Sequence, residues 1–186
     1  MILCSRSVQA GQKAIEEEIK KPGHGNYVVD ASNIVVKQLD LNSLASVKAL
    51  AEDFLKTEKR LDFLVLNAGI MALPKLERTE AGFEKQIGVN HFGHFYLHRL
   101  LHDRMLSDKT SAGRIVVLSS SAHDKGNVKP KDLHYTNGRK YEGWAAYGQS
   151  KQANLLFAKS IADKTRGTHV TAVSLHPGVI ATELWR

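Results

Sequence analysis

The chain alternates between short apolar runs and longer stretches in which apolar positions recur every three or four residues. The runs are Ile2-Leu3-Cys4, Ile34 to Leu39, Phe63-Leu64-Val65-Leu66, Ile115-Val116-Val117-Leu118 and Val170-Thr171-Ala172-Val173. Runs of this length, rich in β-branched residues and bounded by turn formers, predict strands. The unbroken ones, at Phe63 and Ile115, predict strands covered on both faces. Between them the 3.6-residue period predicts helices. The first covers Val8 to about Lys20, with Ala10, Ala14 and Ile15 on one face, and Pro22-Gly23-His24-Gly25-Asn26 breaks it. A second, capped by Asn42 or Ser43, runs to about Lys59 with Leu44, Val47, Leu50, Ala51 and Phe54 inward. A third covers about Glu80 to Met105, and a fourth Trp144 to Asp163 after a polar loop from His123 to Glu142.

This β-α-β-α-β-α-β-α-β order predicts an α/β fold with a doubly wound parallel sheet, one domain over residues 1–186. In such sheets ligands lie beyond the carboxyl ends of the strands. Those ends carry Ser5-Arg6, Asp40-Leu41, Asn67-Ala68-Gly69, Ser119-Ser120-Ser121 and Pro177-Gly178. Polar residues and glycines thus gather where binding is expected.

Composition adds boundaries. At 42% hydrophobic and 24% charged residues the chain is an ordinary globular sequence. Cys4 is its one cysteine, which excludes an internal disulfide and a CxxC pair and suits a reducing compartment such as the cytoplasm. The longest apolar stretch, Phe63 to Leu73, is too short to span a bilayer, and the start at Met1 has no secretory pattern. Membrane association, at the endoplasmic reticulum or a plastid, would require an anchor upstream of Met1.

The net charge of +7 admits nucleic acid, an anionic surface or a phosphate-bearing ligand as partner. The basic residues are dispersed, and the most basic segment, Lys125 to Lys140, reads as a solvated loop. No aromatic-basic array supports nucleic-acid binding. His91, His94, His98 and His102 fall near one helical stripe, yet no HExxH glutamate or cysteine accompanies them, and the expected metal content is none.

The strongest chemical signal is Tyr147-Gly148-Gln149-Ser150-Lys151 on a predicted helix. Residues four apart share a helix face, so Tyr147 and Lys151 can reach one ligand. A nearby ammonium would lower the tyrosine pKa and fit it for proton transfer near neutrality. Where a doubly wound sheet binds a dinucleotide, the end of its first strand carries the preference, an acid there suiting the ribose 2′-hydroxyl of NAD. Here Arg6 stands between Ser5 and Ser7, which favours the 2′-phosphate of NADP, with NAD as the alternative.

Leu66-Asn67-Ala68-Gly69-Ile70, Val89 to Phe95, Arg114 to Ser120, Tyr147 to Lys151, and His176-Pro177-Gly178 with Thr182 occur in the order and spacing of one family's motifs. The chain resembles the short-chain dehydrogenases/reductases, in particular the group containing retinol dehydrogenases, the WW-domain oxidoreductase and plant chloroplast-envelope reductases. The resemblance implies a small-molecule carbonyl/alcohol substrate, lipophilic in this group (a retinoid, steroid or aldehyde), and a nicotinamide cofactor. It implies that Tyr147 is the general acid in reduction and the base in oxidation. Lys151 would support it and bond the nicotinamide ribose, Ser120 would hydrogen-bond the substrate oxygen, and Asn90 would hold a water relaying protons to Lys151. Ser119 and Ser121 remain alternatives to Ser120. Asp40 and Leu41 would meet the adenine, and Asn67, Ala68 and Gly69 the adenosine ribose. Pro177, Gly178, Val179 and Thr182 would lie along the nicotinamide amide and phosphates. The helix of Asn90 packs in a subunit interface in that family, which makes a homodimer an expected assembly.

One family feature does not occur. The glycine-rich turn TGxxxGxG, which precedes the second family strand, is not among the 14 glycines, and Ile2-Leu3-Cys4 corresponds to that second strand. The expectation is a Rossmann-like domain lacking its first and last strands, with a central gap between the strands at Ile2 and Ile34 and those at Phe63, Ile115 and Val170. Such a chain should be poorly stable alone and bind NADP weakly. A non-catalytic fragment, or a nucleotide-sensing or interaction protein of the same fold, is the alternative function.

Overall fold

The protein is described from a computed structural model, covering residues 1–19, 31–180 and 184. The predicted break at Pro22 to Asn26 and the predicted helix end at Lys20 lie outside them. The chain runs β1 (Ile2–Ser5), α1 (Val8–Ala14) with a π-helical turn (Ile15–Ile19), β2 (Val35–Gln38), α2 (Leu44–Thr57) and β3 (Phe63–Leu66). It continues through α3 (Lys85–Ile87), a second π-helical turn (Gly88–Gly93), α4 (His94–Ser107), β4 (Gly113–Leu118), α5 (Gly143–Lys164) and β5 (Val170–Leu175).

All strand pairing is parallel, in two sheets ordered β1-β2 and β3-β4-β5. No ladder joins β1 to β3 among the described residues, so the strands divide into the two expected groups. Helices lie on both sides. On one face of β1-β2, Gly11 of α1 approaches so closely that a β-carbon there would stand 2.6 Å from Val36 Cγ1. On the other, Lys37 bonds Asp53 Oδ2 (2.6 Å) and Thr57 Oγ1 (3.1 Å) of α2.

The core joins α2, α4 and α5 to one face of β3-β4-β5. Val47, Ala51, Leu66, Leu101, Ile115, Val117 and Ile161 are among its members. Burying a side chain of this kind is worth about 2 kcal/mol, which makes this layer the main source of cohesion.

The opposite face corrects one expectation. β3 alternates exposed and buried, with Leu64 and Leu66 inside but Phe63 at 66% and Val65 at 57% exposure. The register aligns Phe63 with Arg114 and Thr171, and Val65 with Val116 and Val173, in rows on this face. Among the described residues no helix of the core cluster lies over them, so a run that reads as doubly buried is covered there on one side only.

Two helices also differ from their predicted form. Along α1 the buried positions are Gly11 and Ile15, while Ala10 and Ala14 are exposed, because the close approach to Val36 needs the residue without a side chain. The third predicted helix begins at Lys85 rather than Glu80. Gly82 has φ +81°, an Arg78–Glu84 bridge closes a turn, and the Glu84 carboxylate caps the helix by accepting from the Gln86 and Ile87 amides (both 2.9 Å).

Candidate active site

The cluster forms where the loops after β3 and β4 meet α5 and the π-helical turn. α5 starts at Glu142, whose carboxylate accepts from the Trp144 (3.0 Å) and Ala145 (2.6 Å) amides. Five residues on, Tyr147 is buried at 5% exposure, and Lys151 Nζ lies 5.6 Å from the centre of its ring. Lys151 is equally buried, and its ammonium donates to the Leu118 carbonyl at the end of β4 (3.2 Å). Loss of hydration pulls its pKa from 10.5 down to about 8.

Tyr147 runs against expectation. Burial raises its pKa, and the one effect acting downward is a hydrogen bond with the Ser120 side chain. The Lys151 ammonium stands toward the ring, and the desolvation of the phenol outweighs the Ser120 bond. Tyr147 therefore holds its proton tightly.

The serine triplet divides by role. Ser119 is buried and its hydroxyl donates to the Lys151 carbonyl (2.7 Å), an anchor of α5. Ser120 is half-buried, accepts from the Ala122 amide (3.2 Å) and reaches Tyr147, while Ser121 is exposed. The backbone turn that begins at Ser120 fits under α5 because Gly148 carries no side chain. A β-carbon there would come 2.7 Å from the Ala122 carbonyl oxygen.

Asn90 sits fully buried in the π-helical turn. Its Oδ1 accepts from the Ile70 amide (2.8 Å), and its Nδ2 donates to the Ile70 carbonyl and Ser150 Oγ (both 2.9 Å). It thus fastens the Asn67-Ala68-Gly69 loop to the helix. Gly69 lies closest to the cluster: a β-carbon on it would be 3.0 Å from Asn90 Oδ1 and 3.5 Å from Lys151 Nζ. That space beside Lys151 is open only because residue 69 is glycine.

The remaining candidates spread along the strand ends. Asn67 and Ala68 are exposed. Asp40 is half-buried, and its carboxylate accepts from the Asn42 amide (2.9 Å) at the start of α2. The Leu41 side chain is a core member beneath Gly93, which leaves only its backbone for a ligand. Arg6 is exposed at the end of β1, in the two-stranded sheet, apart from the Tyr147 cluster. Pro177, Gly178 (φ +91°) and Val179 are exposed beyond β5. Thr182 lies outside the described residues.

Sequence reasoning missed Ser150, Gln149 and Asn154, all at most 1% exposed. Ser150 donates to the Tyr147 carbonyl (2.7 Å) while accepting from Asn90. Gln149 holds the loop before α5, donating to the Leu133 carbonyl and accepting from Arg139 (both 3.0 Å). The signal available was their polarity on the inward face of an amphipathic helix. Arg139 corrects the solvated-loop reading in part: its guanidinium covers the buried Tyr135 ring at 3.6 Å, while Lys125, Lys129, Lys131 and Lys140 are exposed.

Among the described residues no group of three or more His, Cys, Asp or Glu side chains could hold a metal ion, and no helix is long and apolar enough to cross a membrane. A groove of about 530 Å³ lies at Lys37, Ser46 and Asp53, away from Tyr147.

The sequence model of the short chain dehydrogenase family matches residues 1–132. Retinol dehydrogenase 12 of Mus musculus is 44% identical over 155 residues, 83% of this chain and 48% of that protein. Retinol dehydrogenase 13 of Homo sapiens is 45% identical over 154 residues, covering 83% and 45%. The chain spans about half the length of such relatives. Among solved structures, an uncharacterized protein from Mycobacterium Paratuberculosis superposes with a TM-score of 0.79 at 36% identity, over 97% of this chain and 59% of that one. A blue fluorescent protein from a metagenomic library, in complex with NADPH, gives 0.61 at 26% identity, over 81% and 55%.

Proposed function

The chain belongs to the short chain dehydrogenase family, and from that membership we propose that it carries the proton-transfer half of an oxidoreductase acting on a carbonyl/alcohol pair with NADP(H). The observation that carries the reading is the buried Tyr147–Lys151 pair, with Ser120 on the tyrosine and Asn90 anchoring the adjoining loop. A lipophilic substrate is supported by the names of the retinol dehydrogenase relatives. The exposed Trp144 ring beside Tyr147 offers it an apolar contact.

The residues fit a nicotinamide nucleotide at one end. The space at Gly69 beside Lys151 suits a ribose, with Tyr147 at the reacting carbon's oxygen. Arg6 suits a 2′-phosphate. A glycine-rich pyrophosphate turn does not occur in the sequence. When bound, the cofactor supplies or accepts the hydride.

The chain's own residues handle the proton. Tyr147 enters neutral, as its raised pKa requires, and delivers its proton to the carbonyl oxygen as negative charge grows there. Ser120 donates to the same oxygen. Lys151, still an ammonium below pH 8, stabilises the phenolate that remains. This protonation pattern suits reduction at neutral pH.

The test is NADPH oxidation with retinoid and aliphatic aldehydes. Tyr147→Phe removes the proton donor and should cost about 10²- to 10⁴-fold in rate with fold intact by circular dichroism. An unchanged rate refutes the assignment.

A further inference from the structure

We infer that Asn154 is a positioning residue of this site, whose side-chain amide ties the backbone of the Asn90 turn to the end of β4 and thereby sets the seat of Lys151. The inference rests on the reading of Tyr147 and Lys151 as the reacting pair. Asn154 follows Lys151 by three positions on α5, so the two side chains leave the helix on one face. Asn154 is 1% exposed. Its Nδ2 donates both hydrogens, one to the Asn90 carbonyl and one to the Leu118 carbonyl, each at 3.0 Å. The Leu118 carbonyl is also the acceptor of Lys151 Nζ. One amide therefore shares an acceptor with the ammonium and grips the turn that carries Asn90.

The orientation of this amide is unique. Two carbonyls can only accept, so the nitrogen must face them, and Oδ1 faces His91 Nδ1 at 3.1 Å. His91 must then carry its proton on Nδ1, and burial holds it neutral by lowering its pKa. The Asn90 carbonyl lies in the π-helical turn. The His94 amide bonds the His91 carbonyl instead of Asn90's, and the His94 ring joins Asn154 on the Asn90 oxygen (3.0 Å). Both Asn90 ends are thus held: the side chain by Ile70 and Ser150, the carbonyl by Asn154 and His94.

The test follows the Lys151 Nζ resonance against pH in ¹⁵N-lysine-labelled protein, assigned with Lys151→Arg. The titratable groups facing Lys151 are Tyr147 on its own helix and His94 on α4, and both are uncharged near pH 8. The parent should titrate near pH 8. In Asn154→Ala the Leu118 carbonyl turns wholly to the ammonium and water fills the vacated space. Both favour the charged form, and the midpoint should rise by about one unit, tenfold in proton affinity. Asn154→Ser keeps one donor and should titrate between the two; it is read in place of the alanine variant if that one does not fold. A lowered melting temperature with an unmoved Lys151 midpoint overturns the inference, because Asn154 would then only pack. The readout needs no turnover. If the midpoint moves but the parent reduces no aldehyde, the positioning role stands and the oxidoreductase reading falls. If the parent reduces aldehydes and the midpoint does not move, the reverse holds.

Discussion

Acidification should unfold this protein through His94, and the contribution can be worked from its surroundings. The ring is 3% exposed, its Nδ1–H donates to the Asn90 carbonyl, and among the described residues no carboxylate offsets its charge. Loss of hydration, with lesser repulsion from Lys151, carries its pKa from 6.5 down to about 4. The unfolded chain binds a proton as pH falls through 6.5, while the folded chain refuses it until about 4. Stability is therefore complete above pH 6.5 and drains away across that window, then levels off once both states are protonated. A difference of that size is worth about 3 kcal/mol at 1.36 kcal/mol per unit, a large share of the 5–15 kcal/mol (roughly) that holds a domain together. His98 is lowered in the same direction, by burial first and then by His102, Arg99 and Lys164. Arg99 and Lys164 are exposed and screened by salt, so their part of this shift is small. The assay is urea unfolding followed by circular dichroism at intervals from pH 7 to 4, for the parent and for His94→Asn. Asparagine keeps an N–H for the Asn90 carbonyl and cannot ionise. Subtracting the two curves cancels the carboxylates that titrate in the same range. The parent should lose about 3 kcal/mol more than the variant. Parallel curves would show that His94 is not held neutral, and the reasoning fails.

Other outcomes follow from the same geometry. Aldehyde reduction should be level below pH 7 and decline as pH rises through 8, where Lys151 gives up the charge that stabilises the Tyr147 phenolate, as a pH–rate profile will show. A decline centred above 10 would assign it to tyrosine alone. Gly93→Ala should destabilise by about 1–3 kcal/mol in urea unfolding, because its β-carbon would meet the Leu41 carbonyl oxygen at 2.8 Å and Leu41 Cβ at 3.0 Å.

The parts legible in the sequence were those fixed by local pattern. α2 starts after Ser43, whose side chain makes no capping bond, and of the inward set Val47, Leu50, Ala51 and Phe54 are buried and Leu44 half-buried, because an amphipathic period with a clear stop leaves few choices. The division of strands into two groups followed from the motif order. Burial of β3 did not, since a run of four apolar residues says nothing about whether a neighbour exists for each face. The π-helical turn at Asn90 has no composition signal of its own. Within it Gly88, Asn90 and Gly93 each face a different neighbour: Thr79, Ile70 and Leu41. The Tyr147 pKa was misjudged for a related reason. Spacing brings a lysine near a tyrosine, but only packing decides how much water both lose. Asn154 was invisible because its partners come from three separate segments.

The uncovered face of the three-stranded sheet has a bearing on how the polypeptide behaves in company. Phe63, Val65, Val173 and Leu175 stand in adjacent rows, 40% to 66% exposed, next to the edge of β3 that pairs with no strand among the described residues. To a chaperone or a protease, a chain with a packed layer and an exposed apolar row presents a surface to bind. Its lifetime in a cell should be governed less by the strength of the packed layer than by how quickly something settles on the bare one.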